Sequence, residues 1–302
     1  MLIKAVLNRE SGTLRTADID GLRAHIIDRF TAAGHEVDCA VVDGKGLAPA
    51  LESAFADGNI ECVLAGGGDG TVSSSAARAW KSGKVLAVLP AGTMNFFART
   101  LKIPFDLTAA VDALAAGTVE EADIAAANGR AFIHQFSVGM QPRMVVEREK
   151  LEYSSRAGKI LASLRSMISP VFNPPSFPMV VHRDQRDEPV QASLFAVSTN
   201  PHGEGHLPYP DTLAAGVLGV YLAGTLTAAR GIVLAADIAS GRLTVNEDIA
   251  VSSAEKFSVS FPRRKHGAKA VIDGELVDLP AEVEFEIHPR GLKVLAPKVA
   301  GA

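Results

Sequence analysis

Ile60-Glu61-Cys62-Val63-Leu64-Ala65-Gly66-Gly67-Gly68-Asp69-Gly70-Thr71-Val72 is the stretch whose reading decides the fold, together with the Ala/Ser-rich run that continues to Trp80. Ile60 to Ala65 is apolar and reads as a buried strand; Val72 to Trp80 reads as a helix. Strand, glycine turn and helix form a phosphate-holding geometry. Glycines let backbone N–H groups approach an anion closely, and the helix N-terminus adds partial positive charge. A carboxylate inside the turn, Asp69, repels phosphate unless a divalent cation lies between them. The stretch is therefore read as a nucleotide site with Mg²⁺ built in, against the plainer alternative of a structural tight turn.

Working outward, the same unit repeats. Leu2 to Leu7 reads as a strand, followed by a helix capped by Asp20 that runs through Ala33 and stops at Gly34. Glu36 to Val42 is a second strand and Leu47 to Ala56 a second helix; Val85 to Leu89 is a fourth strand, followed by Pro90-Ala91-Gly92-Thr93 and a short helix from Asn95. Asp106 is placed to cap a further helix to Ala116. This alternation predicts an α/β domain, a parallel sheet with helices on both faces, over residues 1–124. Ligands of such sheets bind at the carboxyl ends of the strands, where both glycine-bearing turns lie.

Beyond residue 124 the pattern changes. Ala131–Val138, Met179–His182, Gln191–Ser198, Val217–Leu222, Phe257–Phe261, Ala270–Ile272 and Glu282–Ile287 read as strands, several alternating apolar and polar as half-buried antiparallel strands do. Residues 125–302 are expected to form a β-sandwich, with the last residues free to return to the first domain. Two helical stretches interrupt it, Arg143–Met167 and Thr227–Ser240.

Composition narrows the function classes. The chain has 302 residues, 47% hydrophobic and 21% charged, which suits two globular domains and not disorder. A net charge of −4 speaks against nucleic acid as a partner. Cys39 and Cys62 each sit in an apolar run and read as buried free thiols of a reducing compartment. Met1 leads directly into a strand rather than a signal peptide, and no apolar run is long enough to span a bilayer. The expected location is cytoplasmic, with any membrane contact peripheral.

The second turn reads Leu89-Pro90-Ala91-Gly92-Thr93-Met94-Asn95-Phe96-Phe97-Ala98-Arg99. Alone, Pro-x-Gly-Thr can simply shape a strand-to-helix connection. One βα unit after the first turn, it supplies a second wall to the same site. The pair Gly-Gly-Asp-Gly-Thr and Pro-x-Gly-Thr-x-Asn-x-x-Ala-Arg resembles the catalytic domain of the diacylglycerol kinase, sphingosine kinase and ceramide kinase family, shared by bacterial soluble lipid kinases. Asn8 and Ser11-Gly12 resemble the family's Asn-Pro-x-Ser-Gly loop, with Arg9 in place of the proline. Asp273-Gly274-Glu275 resembles its Asp-Gly-Glu, beside the γ-phosphate and the lipid hydroxyl; without the resemblance it would be an ordinary hairpin turn.

The resemblance implies an ATP-dependent lipid kinase acting on the hydroxyl of diacylglycerol, ceramide or a sphingoid-like lipid at a membrane surface. Asn8, Ser11, Gly12, Gly67, Gly68, Asp69, Gly70, Thr71, Val72, Thr93 and Asn95 would bind the nucleotide. Asp69 would hold Mg²⁺, and Asp273 or Glu275 would accept the hydroxyl proton, bringing both domains into one cleft reaction. Arg99 would pair with phosphate or with a carboxylate of its own helix. A homodimer stays open.

Two departures stand out. Phe96 follows Asn95 where the family has Asp. Ala214-Ala215-Gly216-Val217-Leu218-Gly219 stands where the family's Asp-Asp-Gly-x-x-Asp metal site is expected, so a side-chain-held metal there is doubtful. A NAD kinase-like small-molecule kinase and a degenerate nucleotide- or lipid-binding regulator are the competing readings.

Other features have plainer alternatives. Arg148–Met167, basic and apolar by turns, reads equally as a membrane-surface helix or a packed amphipathic one. Pro170–Pro178, with Phe172 and Phe177, reads as a hydrophobic lip. Arg263-Arg264-Lys265-His266 is a solvated turn or a phosphate and headgroup contact. His202 and His206 lack a third ligand for zinc, and Ser11 lacks the partners of a hydrolase triad.

Overall fold

The structure, a computed structural model, describes residues 1–152, 171–183 and 185–298, with only the main chain for 148–152. The described chain forms two compact units. Unit 1 holds Met1–Ile124, Thr212–Ala214 and the stretch from His288 onward; unit 2 holds the described residues of Ala125–Asp211 and Ala215–Ile287.

Unit 1 is built on parallel strands β1 (Leu2–Asn8), β2 (Glu36–Val42), β3 (Cys62–Gly67) and β4 (Val85–Pro90), ordered β2-β1-β3-β4. β3 is buried at every position and β4 at all but its first, which is why both read as unbroken apolar runs. Helices α1 (Ile19–Ala32) and α5 (Leu107–Ala115) pack together; so do α2 (Gly44–Ala56) and α3 (Asp69–Ser82). Between α3 and α5 lies the short α4 (Phe96–Thr100). The strand order turns back between β1 and β3, which in an open α/β sheet is where ligands settle. Registers Leu7↔Gly66 and Gly66↔Leu89 bring the ends of β1, β3 and β4 level.

Local signals explain the helix boundaries, with corrections. Asp18, not Asp20, caps α1, its carboxylate accepting the Gly21 N–H at 3.0 Å; a side chain at Gly21 would collide with it. α2 begins at Gly44 rather than Leu47 because Asp43 caps it, bonding Gly46 N–H at 2.7 Å. Asp106 caps α5 through Ala109 N–H at 2.8 Å, as the sequence predicts. Cys39 and Cys62 are buried free thiols; burial raises them to about 11 and about 12.

Unit 2 is antiparallel and β-rich, as the alternation predicts. β5 (Thr118–Ala127) enters it, and β6 (Arg130–Phe132), β7 (Gln135–Gly139), β8 (Phe177–Arg183), β9 (Arg186–Ser198), β10 (Leu218–Gly224), β11 (Ile249–Ala254), β12 (Lys256–Ser260), β13 (Lys269–Ile272), β14 (Glu275–Asp278) and the first half of β15 (Glu282–Ala296) follow. Ala131–Val138, expected as one strand, is two: Ile133-His134 separates β6 from β7. β5, β11 and β14 were not expected as strands.

Phe285 centres the core, with Phe136 at 5.0 Å, Phe257 at 5.1 Å and Phe195 at 6.0 Å between ring centroids. Alternation on β9 and β10 serves two cores: Phe195, Val197 and Leu218 face this one, while Ala196, Tyr221 and Ala223 face α7 (Ala228–Ala239). The helix α6 (Met140–Glu152) begins before the expected Arg143–Met167 segment and runs into it; the remainder of that segment, and most of the basic stretch Arg148–Met167, lies outside the described residues. Phe172 of the expected lip is 57% exposed. Among the described residues no helix is long and apolar enough to cross a membrane.

Candidate active site

Three loops of unit 1 meet at the carboxyl ends of β1, β3 and β4. In the first, the Asn8 carbonyl accepts Ser11 N–H at 3.0 Å and its side chain accepts Glu10 N–H at 3.1 Å, making a tight turn. Glu10 in turn accepts Gly44 N–H at 2.9 Å. Gly12 packs directly on the second glycine turn: a Cβ there would lie 2.5 Å from Ala91 O, which also accepts Thr13 N–H at 3.1 Å. Glycine is required here by closeness to neighbouring main chain.

The middle loop is Gly67-Gly68-Asp69-Gly70-Thr71. A Cβ at Gly67 would lie 2.5 Å from the Thr71 side chain, so Thr71 is buried beneath the turn, as is Val72. Gly68 is the N-cap of α3 and no side chain caps that end. Gly70 differs from its neighbours: it is exposed, and nothing lies within 4 Å of where a Cβ would sit. No protein atom among the described residues explains that glycine.

The third loop is closed on itself and tied to the second. Asn95 adopts φ +50°, its Oδ1 accepts Gly92 N–H at 2.8 Å, and its Nδ2 donates to Gly92 O at 2.9 Å. Asp69 Oδ2 accepts Asn95 N–H at 3.0 Å and Oδ1 accepts Phe96 N–H at 2.8 Å. A Cβ on Gly92 would sit 2.8 Å from Gly68 Cα. The two glycine turns are therefore in main-chain contact, with Asp69 as the clamp. The departure at Phe96 leaves the clamp whole, because the bond uses its N–H and not its side chain. Thr93 is exposed on the rim. The helix of Arg99, Phe96–Thr100, offers no carboxylate to it; its Nε donates to Met94 O at 2.7 Å and its guanidinium lies 4.5 Å over the Phe105 ring.

The sequence motifs mark Asp69, Asn95 and Gly12 but not their partners. Gly92, left out of the binding set, is the glycine the third loop most needs; its signal was the Pro-Ala-Gly-Thr run itself.

In unit 2 the turn Asp273-Gly274 joins β13 to β14. Asp273 is buried with φ +47°, and its carboxylate accepts three main-chain N–H groups: Ile133 at 3.0 Å, His134 at 2.9 Å and Gln135 at 3.0 Å. Ile133 and His134 form the break between β6 and β7, and Gln135 opens β7. Glu275 lies on the exposed side, 2.6 Å from Arg130. At the expected metal loop, where Ala214, Ala215 and Gly219 carry no carboxylate, Ala215 N–H donates to Asn200 Oδ1 at 2.9 Å. Among the described residues no group of three His, Cys, Asp or Glu side chains could hold a metal.

His202 is buried and stacks on Tyr221, 4.6 Å between centroids and 12° between planes, and the Tyr221 hydroxyl accepts His202 N–H at 2.6 Å. Neither ring nitrogen of His202 has a partner among the described residues. His206 bonds Asp211 at 2.7 Å.

Residues 3–127 match the family model of the diacylglycerol kinase catalytic domain. The matched segment covers the three loops and the clamp between them.

An uncharacterized Synechocystis protein is 26% identical over 280 residues, 89% of this chain and 62% of that one. A probable YegS-like lipid kinase of Klebsiella pneumoniae is 39% identical over 98 residues, 31% of this chain and 33% of its own. The diacylglycerol kinase of Bacillus subtilis is 28% identical over 153 residues, 47% of this chain and 50% of its own. The chain thus spans between a third and just under two thirds of the length of these three relatives. A crystal structure of a Bacillus anthracis diacylglycerol kinase superposes with a TM-score of 0.71 at 18% identity, over 98% of this chain and 97% of that one, which is a likeness of fold.

Proposed function

We propose that this protein is a lipid kinase that transfers the γ-phosphoryl of ATP to the hydroxyl of a lipid. The observation that carries the reading is the Asp69 clamp. It fixes two glycine turns side by side at the switch point of a parallel sheet, with the uncapped amides of α3 beside them.

Phosphoryl transfer asks for positioning and charge neutralisation more than covalent chemistry. The α3 amides and the rim at Gly12, Gly70 and Thr93 would cradle the phosphates. The open space at Gly70 supports that, since a ligand there would supply the missing reason for glycine. Mg²⁺ commonly takes one or two protein carboxylates and completes its shell from phosphate and water. A single half-buried carboxylate in the loops, Asp69, fits such an ion, and each of its oxygens keeps a lone pair beyond its amide bond. When bound, the ion would neutralise triphosphate charge.

The two candidate bases divide by environment. Asp273 spends its carboxylate on three amides and fixes the turn; Glu275 is exposed, held by one guanidinium, and is the group free to meet an incoming hydroxyl.

The test is transfer of label from γ-labelled ATP to diacylglycerol, ceramide and a sphingoid base, with NAD in parallel. Label in a lipid extract supports the reading. Label in NAD alone, or in no acceptor while ATP binds, would replace it with a small-molecule kinase or a non-catalytic nucleotide-binding protein.

A further inference from the structure

Unit 2 carries a cavity of about 540 Å³ at the end of the β13–β14 hairpin remote from Asp273. Its floor is apolar: Val138, Phe261 and Leu279 are buried and Phe177 half-buried. Its rim is cationic, formed by Arg143 on α6 and by Arg263, Arg264, Lys265 and His266 in the loop between β12 and β13. A second hollow shares Arg264, His266 and Leu279 with it and adds Asp278.

The charges do not cancel locally. Lys269 is neutralised by Asp278 at 2.7 Å, whose charge also acts on His266 and Arg264, and Glu147 lines the cavity one helical turn from Arg143; the two carboxylates are outnumbered by the Arg and Lys side chains around them. Among the described residues, Arg263, Arg264, Lys265 and His266 form no ion pair, in a protein of net charge −4. Four consecutive exposed basic residues kept at the mouth of an apolar hollow favour an anion there. The floor would gain nothing from a bare anion, and the rim would gain nothing from a neutral lipid.

We propose that this cavity binds a glycerolipid bearing an anionic phosphate, with the phosphate on the Arg263–His266 rim and an acyl chain along Val138, Phe177 and Phe261. The site is separate from the Asp-Gly-Glu turn. Lys269 at the rim and Asp273 at the turn are four strand positions apart, roughly 13 Å at the usual rise of a strand. A phosphate at the rim is thus a docking contact and not the reacting group. The inference does not depend on the kinase reading, because binding is read without nucleotide.

The probes are dihexanoyl phosphatidate, dihexanoyl phosphatidylcholine, dihexanoylglycerol and inorganic phosphate, titrated calorimetrically into the full chain below the micelle concentration of each lipid. Phosphatidate is expected to bind at least tenfold tighter than the other three. Arg263→Ala with Arg264→Ala and Lys265→Ala, all on an exposed loop, should weaken it at least tenfold with the melting temperature unchanged. Ser176→Trp, on the cavity wall, should weaken it with the rim intact, while Glu275→Gln at the turn should leave it unaltered. Equal affinity for phosphate alone would reduce the site to a bare anion contact and overturn the proposal. So would phosphatidylcholine binding as well as phosphatidate, phosphatidate binding that survives the triple replacement, or phosphatidate binding lost in Glu275→Gln.

Discussion

The carboxylate of Asp69 accepts the main-chain N–H of Asn95 at 3.0 Å, and Asn95 then uses its own amide to close a ring on Gly92. One residue of the first glycine turn thereby sets the shape of the second. This gives Asp69 a structural duty in addition to any duty toward a cation, and its replacement should show both.

Asp69→Asn offers one acceptor oxygen to two amide donors and turns an NH₂ toward the other. An unsatisfied donor of this kind costs about 1–3 kcal/mol. The expected outcome is a lowered melting temperature without nucleotide, as well as lost transfer. A mutant that melts like wild type and turns over normally at saturating Mg²⁺ would remove Asp69 from both roles.

Two glycines of the same pair of turns should respond in opposite ways. Gly92→Ala places a Cβ 2.8 Å from Gly68 Cα, and main chain cannot move aside cheaply, so the protein should be destabilised with or without ligand. Gly70→Val enters open space and should melt near wild type. If the phosphates lie over Gly70, Gly70→Val should lose the thermal protection that Mg²⁺-ATP gives the native state. Melting curves with and without Mg²⁺-ATP check both; an unchanged nucleotide shift in Gly70→Val places the phosphates elsewhere.

Much of unit 1 was legible because its signals are local. Buried parallel strands are continuous apolar runs, and glycine turns announce themselves. What escaped the sequence was pairing at a distance. Nothing near Asp69 says that its partners are 26 and 27 residues away, and nothing near Asp273 says that its donors lie 138 to 140 residues back. Arg99 shows the same gap, since a carbonyl and an aromatic face leave no charge pattern to find. The hairpin strand β14 was missed because Glu275–Asp278 is too short and too exposed to show a period.

Asp273 and Glu275 should separate in mutants. Asp273→Asn removes acceptor capacity from a buried site holding three amides, so it should lower stability by about 1–3 kcal/mol along with activity. Glu275→Gln should melt close to wild type, because an exposed ion pair contributes little. If Glu275 takes the hydroxyl proton, its turnover should fall by roughly 10²–10⁴-fold with ATP affinity retained. Full turnover in Glu275→Gln moves the base to Asp273 or Asp69.

The buried histidines of unit 2 make stability depend on pH in a stated direction. Burial lowers His134 to about 3, and burial followed by the charges of His134 and His206 lowers His202 well below its ordinary 6.5. In the folded protein both rings stay neutral, while in the unfolded chain both take up protons once the pH drops below about 6.5. The unfolded state then binds more protons than the folded one, so stability falls as pH falls, across the window from about 6.5 toward 3. Each histidine contributes a slope of about 1.4 kcal/mol per pH unit well inside that window. Phe at position 202 keeps an aromatic ring against Tyr221 and removes two ring nitrogens that have no partner among the described residues. His202→Phe should therefore lower the dependence of unfolding free energy on pH by about 1.4 kcal/mol per unit between pH 5.5 and 4.5. Denaturant titrations of both proteins at several pH values within that range measure the slope directly. Equal slopes would mean that His202 is protonated in the folded protein, and that the stacked, partnerless ring seen here is not its state in solution.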